Sequence, residues 1–566
     1  MVASAFVLIE LMGFARTQWT AAALNALIAV AAFAASRHFA SAGIVAPADA
    51  PAPAIAGGAV SGDVMILPLL FTTGLASLAK EVVWTRQFIP FLGPVVYSFA
   101  AMLAVYLVAT ALGSRIYRTT IRRSGDAAPA WNRAVIVAGA CALLPLLAAD
   151  PRLLLDQRWS LLFGTLRVAV GIGPFCGALG FLTPMLVDRW SRGDPNRAGR
   201  AYAINAVGCI VGPLLAGFVL LPNLGERWTL IVLALPLFAF GCRRQTGVPD
   251  GAPQRRPVRL LVLAVAVALL LVAVTKDFET SFGGALVRRD YTATVIAYGS
   301  GMQRQLLVNG VGMTTLTPIT KMMAHLPLAS LSEPPRRTLV LCFGMGTSYR
   351  SAMSWGTPVT VVELVPSVPP LLSYFHRDGD ELLRSPRSTV VIDDARRFLE
   401  RTRDTFDVVV IDLPPPMEAA GYSMLCSTEF YRLVSRRLAP GGILQQWLGH
   451  PQPVLLSSFA QALGRSFPVV RCFGSSPEFG YHLLASFSPI EKRTAAELAA
   501  RVPPAAARDL LEWGPETNVE AEFQDVLRNE LPLERLIAPD PAAPVLTDDR
   551  PVNEYYLLRD LAQRVR

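Results

Sequence analysis

Along the first half of the chain, apolar residues come in long runs free of Asp, Glu, Lys and Arg, at 17–36, 64–79, 87–114, 134–149, 168–187, 201–225, 228–242 and 260–275. A helix needs about 20 apolar residues to cross about 30 Å of hydrocarbon, and the shorter runs reach that by including flanking positions. The pattern predicts a multi-pass α-helical bundle of about eight crossings over residues 1–275. Beyond 276 the period changes. Tyr291–Tyr298 and Arg304–Asn309 read as two strands around Gly299-Ser300-Gly301, a β-hairpin module within 276–335. From there β-rich stretches at Thr338–Phe343, Val359–Val365, Thr389–Ile392, Phe406–Ile411 and Gly442–Trp447 alternate with helical ones such as Ala395–Arg403 and Thr428–Leu438. Alternation of this kind predicts an α/β doubly wound, parallel sheet over 336–490, with ligands at the carboxyl ends of its strands. A helical segment is expected over 491–566.

Composition supports the division. With 52% hydrophobic and 17% charged residues and a mean hydropathy of +0.41, the 566-residue chain is too apolar for an ordinary soluble protein. Its net charge of +9 is unevenly spread, because residues 1–275 carry a balance of +11 and residues 276–566 one of −2. The basic excess belongs to the apolar half, as a positive-inside bias would have it, and the polar half has no basic footprint for phosphates. Nucleic acid is therefore excluded as a partner and the lipid membrane expected, in the inner membrane of a bacterial cell. The arginine-rich loops 115–133, 188–200 and 243–259 are placed in the cytoplasm, so that a crossing at 260–275 would put the polar half outside. Supply of a cytosolic small-molecule donor favours the cytoplasm instead, and both sides stay open. Seven cysteines without a C-x-x-C pair give neither a disulfide framework nor a metal site.

Three features of the bundle stand out. Phe6-Val7-Leu8-Ile9 followed by Gly13 echoes Phe218-Val219-Leu220-Leu221 followed by Gly225, as if the chain began part-way through a duplicated bundle. Gly208, Gly212 and Ala216, like Gly173 and Gly177, have the spacing that lets helices approach closely in lipid. Lys80, Glu81 and Arg86 end one apolar run, where charges either pair, snorkel or mark a polar pathway.

The chemistry-bearing residues lie at strand ends of the polar half. The first strand runs into Gly344-Met345-Gly346, a tight turn whose missing side chains let backbone approach a ligand. Tyr349 stands where a dinucleotide fingerprint has its third glycine. The second strand ends at Glu363, suited to two ribose hydroxyls; the third ends in Asp393-Asp394, suited to an adenine amino group; the fourth ends in Asp412.

These residues lie in LVLCFGMGT, VVELVP, DDARRFL, VVVIDLPPP, STEFY and LAPGGILQQW, runs that resemble the polyamine aminopropyltransferases, the spermidine synthase family within the class I methyltransferase fold. The whole chain is similar to bacterial membrane-fused spermidine synthase-like proteins, whose bundle carries a motif like SLAKEVVWTR at 77–86. The resemblance implies a Rossmann-like domain and an enzyme that uses decarboxylated S-adenosylmethionine, or S-adenosylmethionine itself, as donor, without a metal. It implies that Gly344 and Gly346 line the donor, Glu363 holds its ribose, Asp393 and Asp394 lie by its adenine, and Asp412 deprotonates the attacking amine. Departures surround the acceptor. Pro415 replaces the family's second acid, Ile319-Thr320-Lys321 stand for a Tyr-His-Glu triplet ahead of His325, and Met313 stands for a glutamine. Lysine and proline in place of carboxylates disfavour a dication such as putrescine, because like charges repel strongly at low effective dielectric. Lys321 suits instead a donor that keeps its carboxylate. The expected partners are a small-molecule amine or other acceptor and the membrane, with self-association open. A methyltransferase or sulfonium-cleaving enzyme, and a transporter or sensor with a non-catalytic nucleotide-type domain, are the rival readings.

Overall fold

The computed structural model describes residues 3–41, 65–124, 131–153, 160–242, 255–413, 416–449, 452–475 and 479–565. They divide into two compact units, one built from 16–93 and 97–281, the other from 3–15, 94–96 and 282–566.

Among the described residues six helices are long and apolar enough to cross a membrane: Ser4–His38, Ile66–Leu92, Val96–Arg123, Leu161–Ser191, Pro195–Cys242 and Val258–Ser281. Two of the eight apolar runs do not form separate long helices of this set. The run 134–149 breaks into Trp131–Cys141 and Leu144–Ala148, with Pro145 in the first turn of the second piece. Proline lacks the N–H that would continue a helix but suits a helix start. The runs 201–225 and 228–242 share one 48-residue stretch that holds two helices, separated by a kink at Gly225, whose φ of 73° and ψ of −179° leave the helical region. In the first unit, a Cβ added at Gly208 or Gly212 would come within 2.2 Å of the Phe71 carbonyl oxygen or 2.4 Å of that of Leu75. The small-residue spacing thus marks where helix Pro195–Leu215 lies backbone to backbone on Ile66–Leu92.

The faint repeat has a backbone counterpart. Each copy opens with a π-helical turn, Ser4–Leu8 or Ala216–Leu220. Each then reaches a glycine outside the helix, Gly13 at φ 82° and ψ 177° or Gly225 at nearly the same values.

The second unit is α/β. Four short strands, β1 (Leu286–Arg289), β2 (Thr294–Tyr298), β3 (Gln305–Val308) and β4 (Val311–Thr315), form an antiparallel sheet in sequential order, so the expected β2–β3 hairpin gains a strand on each side. The main sheet holds β5 (Thr338–Leu341), β6 (Val359–Glu363), β7 (Ser388–Ile392), β8 (Phe406–Ile411), β9 (Leu438–Leu448), β10 (Val469–Gly474), β11 (Tyr481–Ser486) and β12 (Glu530–Leu531). Its order is β12-β10-β11-β9-β8-β5-β6-β7. β7, β6, β5, β8 and β9 pair in parallel, whereas β11, β10 and β12 are antiparallel additions. Val408–Ile411 and Leu339–Leu341 have no exposed surface, as continuous apolar runs in a sheet covered on both faces should. The strand order reverses between β5 and β8, and a doubly wound sheet binds ligands at the carboxyl ends flanking that point.

At the other end of the sequence, Glu10 lies within the same unit. Its Oε2 and Oε1 accept the Leu558 and Arg559 backbone N–H groups at 2.9 and 3.0 Å, at the start of helix Leu557–Val565. A carboxylate there satisfies two orphan donors and meets the positive end of the helix dipole. Glu10→Ala is expected to cost about 1 kcal/mol locally, read as faster amide exchange over 557–565 with the sheet amides unchanged.

Candidate functional site

The loop after β5 is shaped by three consecutive turns of the backbone into the left-handed region. Cys342 has φ 69°, Gly344 φ 53° and Gly346 φ 77°. Cys342 is one of three such non-glycine residues among those described, and a side chain there costs about 1–2 kcal/mol. Burial holds its thiol well above the ordinary range, so it is no nucleophile. The two glycines differ in what surrounds them. A Cβ at Gly346 would lie 2.2 Å from Leu372 Cδ1, whereas one at Gly344 meets nothing within 4 Å and points into open space. Gly344 therefore offers backbone that a ligand can approach, and Gly346 serves packing. Gly346→Ala is expected to destabilise the unit by about 1–3 kcal/mol. Gly344→Ala, with open space around its Cβ, should cost less stability, as thermal unfolding of the two variants will show.

Glu363 ends β6 beneath this loop. Its Oε2 accepts the Phe343 N–H and its Oε1 the Val365 N–H, each at 2.8 Å. Burial raises its pKa, with these N–H groups pulling the other way. Asp394 caps helix Ala395–Arg401 by accepting the Arg397 N–H at 2.9 Å, and Asp393 Oδ1 accepts the Asp394 N–H at 2.8 Å and Arg397 Nε. Asp412 follows β8, tied to β5 by its N–H to the Leu341 carbonyl oxygen at 3.0 Å. The fully buried Ser348, in the first turn of helix Thr347–Met353, donates its hydroxyl to Asp412 Oδ2. Burial pushes the Asp412 pKa up to about 6, with the Ser348 hydrogen bond opposing. The structure thus brings Gly344, Gly346, Glu363 and Asp412 to the switch point, with Asp393 and Asp394 at the end of the neighbouring β7.

The expected acceptor residues sit differently. Met313 is in β4, and Pro415 lies outside the described residues. Lys321 and His325, both without exposed surface on helix Pro318–Ser330, face helix Pro504–Leu511 and the residues after it. Lys321 Nζ pairs with Glu512 Oε2 at 2.7 Å and Asp509 Oδ1 at 3.5 Å, and stands 4.0 Å from the centre of the Trp513 ring. His325 Nε2 meets Asp509 Oδ2 at 2.9 Å, and its Nδ1 accepts from Trp355 Nε1 at 3.0 Å. Trp355 therefore fixes the Nε2–H tautomer. Arg350 joins at 2.6 Å to both acids, and Ser351 donates to Asp509 Oδ2 at 2.6 Å. Despite the cost of burial, His325, Lys321 and Ser351 hold the Asp509 carboxyl well below the carboxylate range. His376, stacked on Trp513 and 3.1 Å from the Met345 carbonyl oxygen, links this network to the glycine loop. Its pKa is lowered to about 4, chiefly by burial.

Ser348, His376, Asp509 and Glu512 were not singled out from the sequence. Ser348 had a signal, being the first-turn hydroxyl after the Gly-x-Gly turn; the others had none. In the structure Asp548 receives Arg396 Nη1 at 3.0 Å and Ser427 Oγ at 2.5 Å, pinning the tail to the helices beside β7 and β8.

Residues 317–472 match the profile of the spermine/spermidine synthase domain. A polyamine aminopropyltransferase of Mycobacterium tuberculosis is 31% identical over 317 residues, 51% of this chain and 59% of that protein. The chain thus spans less than two thirds of the length of that relative. Polyamine aminopropyltransferase 1 of Streptomyces coelicolor is 25% identical over 438 residues, covering 72% and 79% of the two chains. A crystal structure of spermidine synthase from Thermotoga maritima aligns with a TM-score of 0.36 at 17% identity, over 45% of this chain and 87% of that one.

Proposed function

We propose that the spermine/spermidine synthase domain of this chain is an aminopropyltransferase anchored to a bacterial inner membrane by its helical bundle, with Asp412 as general base. The observation that carries the reading is the Asp412 carboxyl at the switch point, raised to about 6 and oriented by Ser348 beside the Gly344 turn. A base with a pKa near the working pH is present as carboxylate yet still attracts a proton.

The donor is an adenosyl sulfonium, most simply decarboxylated S-adenosylmethionine, whose positive sulfur activates the adjoining aminopropyl carbon. The open space at Gly344 and the acids at three strand ends fit such a molecule: Gly344 and Gly346 shape the loop against it, Glu363 takes the ribose hydroxyls, and Asp393 and Asp394 flank the adenine. The acceptor is a small amine. Its lone pair forms the C–N bond as the C–S bond breaks, methylthioadenosine departs, and Asp412 takes the proton the nitrogen loses. A carboxylate there also stabilises the positive charge that develops on the attacking nitrogen. Lys321 and His325 are positioning residues, because their polar atoms are engaged by Asp509, Glu512 and Trp355. They hold helix Pro318–Ser330 behind the loop. With Pro415 where a second acid would stand, the acceptor site is poorer in carboxylates than one built for a dication.

The test is product identification by mass spectrometry, with the full chain in lipid nanodiscs given decarboxylated S-adenosylmethionine and a panel of mono- and diamines. Methylthioadenosine together with an aminopropylated amine supports the reading. S-adenosylhomocysteine from S-adenosylmethionine would show a methyltransferase, and a donor bound but unconsumed would favour a sensor or transporter. The carboxylate is the active form, so kcat/KM should rise with pH through a limb near 6. Ser348→Ala, which removes a bond to the charged form, should move that limb upward.

A further inference from the structure

We propose that the helical bundle holds a binding site for a small monovalent anion of the carboxylate type, centred on Lys80 in the SLAKEVVWTR segment. Lys80 has no exposed surface. Two of its ammonium protons go to backbone carbonyl oxygens, Ala142 at 3.2 Å and Leu230 at 3.1 Å, and Nζ stands 5.5 Å from the centre of the Phe175 ring. Ala142 lies at the break between helices Trp131–Cys141 and Leu144–Ala148, where carbonyls are released from the helical ladder. No carboxylate of the described residues pairs with the ammonium, so when protonated it faces neutral dipoles alone. A buried charge without a counter-charge is among the costliest arrangements in a protein, more so at membrane depth.

Two buried hydrogen-bond donors beside it have no partner. Trp84 Nε1 is one turn further along the same helix, and its ring meets Phe175 edge-on at 6.0 Å, the ring that the ammonium also faces. Thr229 Oγ1 belongs to the residue before Leu230, whose carbonyl oxygen accepts from Lys80. Both residues are at most 2% exposed. Each orphaned donor costs about 1–3 kcal/mol. An ammonium and an indole N–H that face the same Phe175 ring, with a hydroxyl on the residue next to Leu230, are the complement of an oxyanion: it would supply a negative charge and accept from the two orphans.

The probe is trifluoroacetate, followed by its 19F line width with the full chain in nanodiscs. Saturable broadening is expected in the wild type and should vanish in Lys80→Met, which keeps the length of the side chain. Trp84→Phe and Thr229→Val keep packing and should each weaken binding by about 10-fold, the worth of one hydrogen bond to a charged group. Competition by acetate but not chloride is the expected result, and equal competition by chloride overturns the assignment to a carboxylate. Absence of saturable broadening in folded wild type, or broadening that survives in Lys80→Met, overturns it. Should Lys80→Met fail to fold, equal affinity of Trp84→Phe, Thr229→Val and wild type does so.

Discussion

Asp412→Asn is expected to lower the turnover of aminopropyl transfer by about 10²–10⁴-fold, the usual worth of a positioned general base. Asparagine keeps the shape and can still receive the Ser348 hydroxyl, so donor binding should change little. The same substitution should make the protein more stable. The Asp412 carboxyl titrates near 6 in the folded chain against an ordinary value near 4. A raised carboxyl pKa means that folding penalises the charged form: the penalty is absent in acid and grows as pH rises from about 4 to about 6. At neutral pH it amounts to at most roughly 3 kcal/mol, less whatever solvent screens at this partly exposed side chain. Chemical denaturation should therefore show Asp412→Asn gaining stability over wild type between pH 4 and 6, with a constant advantage above. A base kept at a cost in stability is what a catalytic group shows and a structural one does not.

The second large effect belongs to Asp509. Asp509→Ala leaves Lys321 and His325, both without exposed surface, and Arg350 short of their shared acid, with Glu512 left to Lys321 and Glu512 and Asp378 to Arg350. Removing one partner of a buried ion network typically costs about 3–5 kcal/mol, enough to threaten the fold of a marginally stable domain. Asp509→Asn retains hydrogen bonds and should lose less. The sign of the pH dependence is opposite to that of Asp412. A carboxyl held below its ordinary pKa contributes stability above about pH 4 and loses it as pH falls. Acid unfolding of wild type should therefore be steep below pH 4, and shallower in Asp509→Asn. If helix Pro318–Ser330 backs the glycine loop as proposed, kcat in the variants that fold will fall less than Asp412→Asn makes it fall.

The strand-end acids were legible because a parallel sheet repeats one arrangement, an apolar run and then the residue that ends it; Glu363, Asp394 and Asp412 follow from locating those ends. What each acid touches was less legible. That Asp394 caps a helix is written in the local sequence, but Ser348 meets Asp412 only because β5 and β8 are neighbours, 64 positions apart in the chain. Lys321 was read as a free charge since its partners, Asp509 and Glu512, lie nearly 200 residues on and belong to no motif. In the bundle, hydropathy placed the helices, but it does not see that Pro145 divides one run or that Gly225 marks a kink between the helices of two others. The repeat, faint in four apolar letters and a glycine, is plainer in backbone angles, since φ near +80° is a demand that few sequences meet.

The most direct measurement of the central claim is a paired assay on wild type and Asp412→Asn: binding of decarboxylated S-adenosylmethionine by calorimetry, and release of methylthioadenosine by mass spectrometry in the presence of the best amine acceptor. The account predicts similar donor affinity in the two proteins and methylthioadenosine, with an equal amount of aminopropylated amine, from wild type alone. Equal methylthioadenosine release from both would contradict the assignment of Asp412 as the base.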